Sequence, residues 1–139
     1  MDRSFFDRDV VAVARDLLGC TLEVGKTGGV IVETEAYRID DEAAHSFRGQ
    51  TLRTTSMFGA PGHAYVYRSY GLHWCLNFVC QRGCAVLIRA LEPTTGISVM
   101  IKRRNIDSAR LLCAGPGRLT EALAVTARHD GLDLFKQPF

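Results

Sequence analysis

Gly29-Val30-Ile31-Val32-Glu33-Thr34-Glu35-Ala36-Tyr37 is the segment whose reading decides the fold. Its β-branched residues, led in by glycine, predict a strand. With a period of two, Ile31, Glu33, Glu35 and Tyr37 fall on one side, and Val30, Val32, Thr34 and Ala36 on the other. Two carboxylates on one face of an otherwise apolar strand mark either a solvated outer surface or the wall of a cleft. A carboxylate pair of the glycoside-hydrolase kind is a further reading, although such pairs usually come from different elements flanking the sugar.

Working outward, Thr21–Val24 reads as a partner strand joined through a glycine-containing turn. Before it, residues Phe5–Leu18 predict a helix, with Phe6, Val10, Val13 and Leu17 on one apolar face and Gly19 just past its end. On the other side, residues 38–62 form a long polar stretch with Gly49, Gly59 and the Pro61-Gly62 pair. A loop of that length within a domain is usually functional or disordered. Ala64–Ser69 and Leu72–Val79 alternate as strands around a short turn at Ser69-Tyr70-Gly71. Ala85–Leu91 is a more continuously apolar strand. Thr95 is the expected N-cap of a helix through Arg104, with Ile97, Met100 and Ile101 on one face. Gly115-Pro116-Gly117 introduces a last helix in which Leu119, Ala122 and Leu123 share a face. The order of helix, strands, loop, strands and helices predicts an α+β fold.

The 139 residues suit one domain, and 47% hydrophobic with 23% charged residues is a globular composition that argues against disorder. No apolar run approaches the roughly 18 residues of a membrane helix. The charged start Met1-Asp2-Arg3 is unlike a secretory signal, so an intracellular protein is expected. Five cysteines, an odd number without such a signal, are expected to be reduced. The net charge of +2 says little about partners, but its distribution says more. Lys102, Arg103, Arg104, Arg110 and Arg118 stand against Asp107 alone. Arginine far outnumbers lysine, which favours forked contacts to phosphate or carboxylate. This basic segment is either a nucleic-acid footprint or a solvated helix face.

Several residues break their local pattern. Arg89 interrupts an apolar strand, so a carboxylate partner is expected among Glu33, Glu35 and Glu92, since a buried unpaired charge is costly. Such a pair is either structural or fixes the ionised state of a catalytic carboxylate. Tyr70, at a hairpin tip, is either folded back on its strand or exposed as a wedge that slides between base pairs. Tyr37, Tyr65, Tyr67, Trp74 and His45 form either core or a pocket with polar edges. His73, Cys75, Cys80 and Cys84 admit a zinc reading, but their spacing matches no known ligand pattern. A cysteine nucleophile is open too, without a local activating base.

Taken together, Val32–Tyr37, Asp41-Glu42-Ala43-Ala44-His45-Ser46, Met57-Phe58-Gly59-Ala60-Pro61-Gly62, Tyr65-Val66-Tyr67 with Tyr70-Gly71, Cys75-Leu76-Asn77, Leu87-Ile88-Arg89-Ala90-Leu91-Glu92-Pro93 and Cys113-Ala114-Gly115-Pro116 resemble the alkyladenine (3-methyladenine) DNA glycosylase family of the mammalian type. The match runs in order from about Phe5 to Asp133. The resemblance implies a single mixed domain with a curved, mainly antiparallel sheet, flanking helices and a protruding hairpin. It implies a monomer that binds double-stranded DNA containing damaged purines, with no cofactor, no metal and no membrane attachment, intracellular and DNA-associated, in cytoplasm and nucleoid or in a nucleus.

On that resemblance, Glu35 is the general base that activates water, and Arg89 lies beside it. Tyr37 and His45 sandwich the flipped base, with Tyr67 at its edge. Asn77 disfavours guanine, Tyr70 fills the gap in the duplex, and Arg118 holds phosphate near a helix start. Family members usually run on beyond the point that matches Phe139, so a domain over residues 1–139 without the family's C-terminal part is implied. Active glycosylase and damage-binding relative without cleavage are both open. A zinc-dependent nucleobase enzyme around Cys75, Cys80 and Cys84 is a third reading.

Overall fold

The computed structural model describes residues 1–38, 55–81 and 83–139. Five strands form one sheet: β1 (Thr21–Val24), β2 (Thr27–Tyr37), β3 (Ala64–Ser69), β4 (His73–Val79) and β5 (Ala85–Thr95). Their spatial order is β1-β2-β5-β4-β3, and every neighbouring pair is antiparallel. Among the described residues four α-helices accompany them: α1 (Val10–Leu17), α2 (Ile97–Arg104), α3 (Ala109–Leu112) and α4 (Pro116–Leu123). The expected α+β class is what the chain adopts.

Alternation along the strands divides the sheet into two faces with different duties. Ala64 and Val66, Leu76 and Phe78, and Val86 and Ile88 point to the helices. There they join Val10, Val13 and Leu17 of α1, Met100 of α2 and Leu119, Ala122 and Leu123 of α4 in the main core. Their alternate neighbours Tyr65, Val79 and Ala85 form a smaller cluster on the other face with Met57, and Tyr37 and Tyr67 pack against it.

The face assignment expected for β2 needs one correction. Ile31 is buried in the main core, and Thr34 donates through Oγ1 to the Ala14 carbonyl of α1, so both face the helices. Glu35 and Tyr37 therefore face away from Ile31, not with it. The cause is a break in the β2–β5 ladder. Ile31 pairs with Leu91 and Thr34 with Ile88, but between them Glu33 pairs with Ala90, leaving Val32 and Arg89 out of regular register. Such an irregularity re-aims the side chains that follow it. Val32 is left half-exposed.

Helix starts also differ from expectation, for local reasons. The helix predicted over Phe5–Leu18 is a short 3-10 turn, Arg3–Phe5, followed by α1. Asp2 caps the first by accepting from the Ser4 amide, and Asp9 caps the second by accepting from the Ala12 amide. Two capping carboxylates start two separate turns. Thr95 is the last residue of β5 and does not cap α2. Gly96 holds that corner at φ +69°, where a Cβ would meet the Lys26 carbonyl oxygen at 2.3 Å. Only glycine fits both demands. Within the long predicted loop, Thr55–Phe58 is a 3-10 helix whose Met57 and Phe58 are buried. The one-turn α3 and the 3-10 turn Ala127–His129 carry too few residues for a periodic signal.

Two of the clustered basic residues fasten helices together. The Arg103 Nη1 donates to the Ala122 carbonyl of α4 at 2.9 Å, and the Arg104 Nε donates to the Leu112 carbonyl of α3 at 3.1 Å. The Arg104 side chain is only 9% exposed and also faces Glu121. These guanidiniums satisfy helix-terminal carbonyls, which withdraws Arg104 from the surface while Arg103 stays exposed. Helix α4 is tied to the sheet by Thr120, whose Oγ1 donates to the Trp74 carbonyl at 2.8 Å.

His129 gives the fold a pH dependence. Its Nδ1 accepts from the Thr126 amide, which requires the neutral ring, and its burial pushes the imidazole pKa below the ordinary value. A folded-state pKa below the unfolded one means that the unfolded chain takes up the proton first as pH falls. Stability contributed by neutral His129 is therefore present above an unfolded pKa of about 6.5 and is lost as pH drops toward the lower folded value. Urea midpoints between pH 8 and pH 5 are expected to fall, with less of a fall in His129→Gln. An equal fall in both proteins would exclude His129 as the source.

Candidate active site

On the sheet face away from the helices, β2 and β5 bring three candidate side chains together. The Tyr37 hydroxyl donates to Glu35 Oε1 at 2.6 Å. Arg89 Nη1 donates to Glu35 Oε2 at 3.3 Å. Strand geometry makes the first contact local, since residues two apart share a face. The second follows from pairing of the two strands. Of the three carboxylates expected to partner Arg89, Glu35 is the one it meets. The expectation of a buried arginine is overturned: the side chains of Arg89 and Glu35 are each 40% exposed. This stretch of sheet is covered on its helix side and opens on its other side into a cavity, so the charges keep part of their hydration.

That cavity has a volume of about 620 Å³, and Tyr37, Tyr67, Cys75, Leu87 and Arg89 line it, with Tyr70 at its hairpin end. Its size is within the roughly 300–1,000 Å³ usual for small-molecule sites. Burial first, and then the neighbouring Glu35 carboxylate, push the Tyr37 phenol well above its usual pKa. Tyr67 is raised as well, by burial first and then by Cys75. Both phenols therefore stay protonated and can donate. Burial raises the Cys75 thiol too, so a thiolate nucleophile is disfavoured there. Cys80, in the main core, is pushed up to about 12, again chiefly by burial.

Tyr70 stands clear of the hairpin. It is 96% exposed and adopts φ +52°, followed by Gly71 at φ +67°. Successive positive φ angles match the tight hairpin turn expected here, and the reading in which Tyr70 folds back on its strand is excluded. Asn77 lies on the same sheet face but is almost fully buried. Its Nδ2 donates to the Tyr65 and Cys75 carbonyls, and it does not line the cavity. Arg118 is exposed in the first turn of α4, with Nη1 donating to the Ala114 carbonyl at 3.4 Å. Pro116, at the start of that helix, borders the cavity. His45 lies outside the described residues.

The wider aromatic set divides. Tyr65 is buried beneath the cavity, and Trp74 packs against the main core with Arg68 over its ring. Cys75 lines the cavity whereas Cys80 belongs to the core, so they do not share an ion. Among the described residues no three His, Cys, Asp or Glu side chains gather as metal ligands, and no helix is long and apolar enough to cross a membrane. Sequence reasoning missed Leu87 and Cys75 as lining residues. The signal was available: they stand two residues from Arg89 and Asn77, on the same strands.

The profile of the family described as methylpurine-DNA glycosylase matches residues 4–139. The chain belongs to that family. Among curated relatives, a protein of Agrobacterium fabrum named "Putative 3-methyladenine DNA glycosylase" is 58% identical over 137 residues, covering 99% of this chain and 71% of the relative. A protein of the same name from Rhizobium etli is 62% identical over 123 residues, covering 88% of this chain and 62% of the relative. One from Rhizobium meliloti is 58% identical over 138 residues, covering 99% and 75%. The chain thus spans part of the length of each of these methylpurine-DNA glycosylase relatives. All three are bacterial, so a specifically mammalian type is not what these comparisons support.

Proposed function

We propose that this chain acts on duplex DNA, extrudes an alkylated or deaminated purine and hydrolyses its N-glycosidic bond with a water activated by Glu35. The observation that carries this reading is the Glu35 carboxylate, held by Tyr37 and Arg89, two side chains that line a cavity next to an exposed hairpin tyrosine. Extrusion costs a few kcal/mol and is cheapest at a damaged or mispaired base. Tyr70 would occupy the vacated space in the stack, and the Tyr37 ring would give the extruded base a stacking surface.

In the hydrolytic step, Glu35 accepts a proton from water as the water oxygen bonds to C1′ of the sugar. The bond from C1′ to the purine nitrogen breaks, and its electron pair leaves with the base, neutralising a cationic alkylated purine, while a deaminated purine leaves as an anion and takes a proton from solvent. The products are a free base and an abasic site in an intact backbone. Positive charge developing on the sugar is stabilised by the carboxylate. Asn77 is assigned to selection against guanine and Arg118 to a phosphate contact, both on the resemblance.

The test is single-turnover incubation of this chain with duplexes carrying hypoxanthine or an alkylated adenine. Free base and alkali-labile abasic sites are the expected products. Damage-selective binding without release would replace this reading with that of a damage-binding relative. In the same assay Tyr70→Ala is expected to weaken capture of an extruded ethenoadenine, read by its fluorescence, without changing the melting midpoint, because an almost fully exposed ring contributes little to packing. Unchanged capture removes Tyr70 from the flipping step.

A further inference from the structure

We propose that the Tyr37 hydroxyl is a positioning group that sets the orientation of the Glu35 carboxylate, in addition to any stacking by its ring. The inference rests on the reading of Glu35 as the group that activates water.

Among the described residues, two donors hold Glu35, one on each carboxylate oxygen. They differ in quality. The contact from Tyr37 is 2.6 Å, a short bond from a neutral hydroxyl to an ionised acceptor. The contact from Arg89 is 3.3 Å, between side chains that are both 40% exposed. A long, partly hydrated ion pair is a loose restraint. The phenol is therefore the tighter of the two fixings. Glu35 and Tyr37 are two residues apart on β2, so the strand itself delivers the hydroxyl to the carboxylate.

The rest of the molecule supports a donor role. Tyr37 packs against the cluster of Met57, Tyr65, Val79 and Ala85, which limits the swing of its ring. Burial and the adjacent carboxylate keep the phenol protonated. An ionised carboxylate has about four acceptor positions. With one taken on each oxygen, the remaining ones face directions fixed by the two donors, and a water bound there is held in a defined place. Rotational freedom of the carboxylate would spread that water over several positions, most of them unproductive.

Tyr37→Phe separates the two roles, since it keeps an aromatic ring and removes the hydroxyl. A hydrogen bond to a charged group is worth enough that its loss is expected to slow single-turnover release by about 10- to 100-fold. Affinity for a duplex with a stable abasic analogue, and the fluorescence change on ethenoadenine capture, are expected to stay at wild-type values. A crystal structure of Tyr37→Phe should show the Glu35 carboxylate rotated from its present position, a readout that does not depend on turnover.

The outcomes are distinguishable. Full-rate release by Tyr37→Phe, with Glu35→Gln inactive, overturns the positioning role and leaves the base assignment standing. Equal losses in binding and release also overturn it, because the hydroxyl would then serve capture of the substrate. An unmoved carboxylate in the crystal overturns it on structural grounds. Native-rate release by Glu35→Gln removes the reading on which the inference rests.

Discussion

Glu35→Gln is expected to lower single-turnover base release by about 10³-fold or more while leaving capture of a duplex with a stable abasic analogue nearly intact. The substitution keeps size and shape and removes both the charge and the ability to take a proton from water. General-base assistance contributes about 10²- to 10⁴-fold, and loss of a group aimed at developing charge contributes a further factor of about 10²- to 10³-fold. Binding has little reason to change. Glu35 is not itself one of the residues that line the cavity, and the lining aromatics and the hairpin are untouched. The mutant amide keeps a single accepting oxygen, so it can retain one of its two donors, Tyr37 or Arg89, while its NH2 turns the other toward water. Release at the native rate, with comparable binding, would refute the mechanism.

The second large effect concerns stability. Leu119 of α4 is fully buried in the main core. Leu119→Ala is expected to destabilise the fold by about 2–5 kcal/mol, from lost transfer energy plus the cavity left behind. Domains of this size have roughly 5–15 kcal/mol of stability in total, so a substantial share of it is at stake. The consequence reaches the candidate active site through the same helix. Pro116 borders the cavity, and α4 is held to β4 by the bond from Thr120 to the Trp74 carbonyl. A urea titration should show a lower midpoint with an unchanged slope. A midpoint within experimental error of the wild type would mean that α4 is not integral to the core. Gly117 shows how closely the helix sits: a Cβ there would come within 2.6 Å of the His73 ring.

Much of the architecture was legible because its signals were strong and local. The hairpin of β3 and β4 could be read from clean alternation around Ser69-Tyr70-Gly71, and the apolar face of α4 from Leu119, Ala122 and Leu123. The partnership of Arg89 with Glu35 followed in part from the cost of leaving a strand arginine unpaired. The degree of burial did not follow, because an apolar sequence around Arg89 does not say that one face of the sheet opens into a cavity. The facing of Ile31 was misread for a related reason. Period-two reasoning presumes a regular ladder, and the irregularity depends on how β5 lies beside β2, a relation absent from either strand alone. The fates of Arg103 and Arg104 were equally hidden. Charge clustering is visible in a sequence, whereas the carbonyls of α3 and α4 that occupy those guanidiniums are brought there by tertiary packing.

The misalignment around Val32-Glu33 and Arg89-Ala90 also governs what kinds of change this fold can absorb. Because side chains alternate strictly beyond it, an inserted or deleted residue in either strand alone would exchange inward and outward positions downstream. Thr34 would then stand where Glu35 stands, and an acid would be driven among the hydrocarbons beneath α1. Exchange of one residue for another is a graded perturbation at these positions, but a shift in strand length is all or none. Exchanges are therefore the change these strands can absorb, while gains and losses of residues are expected to be tolerated only at the turns.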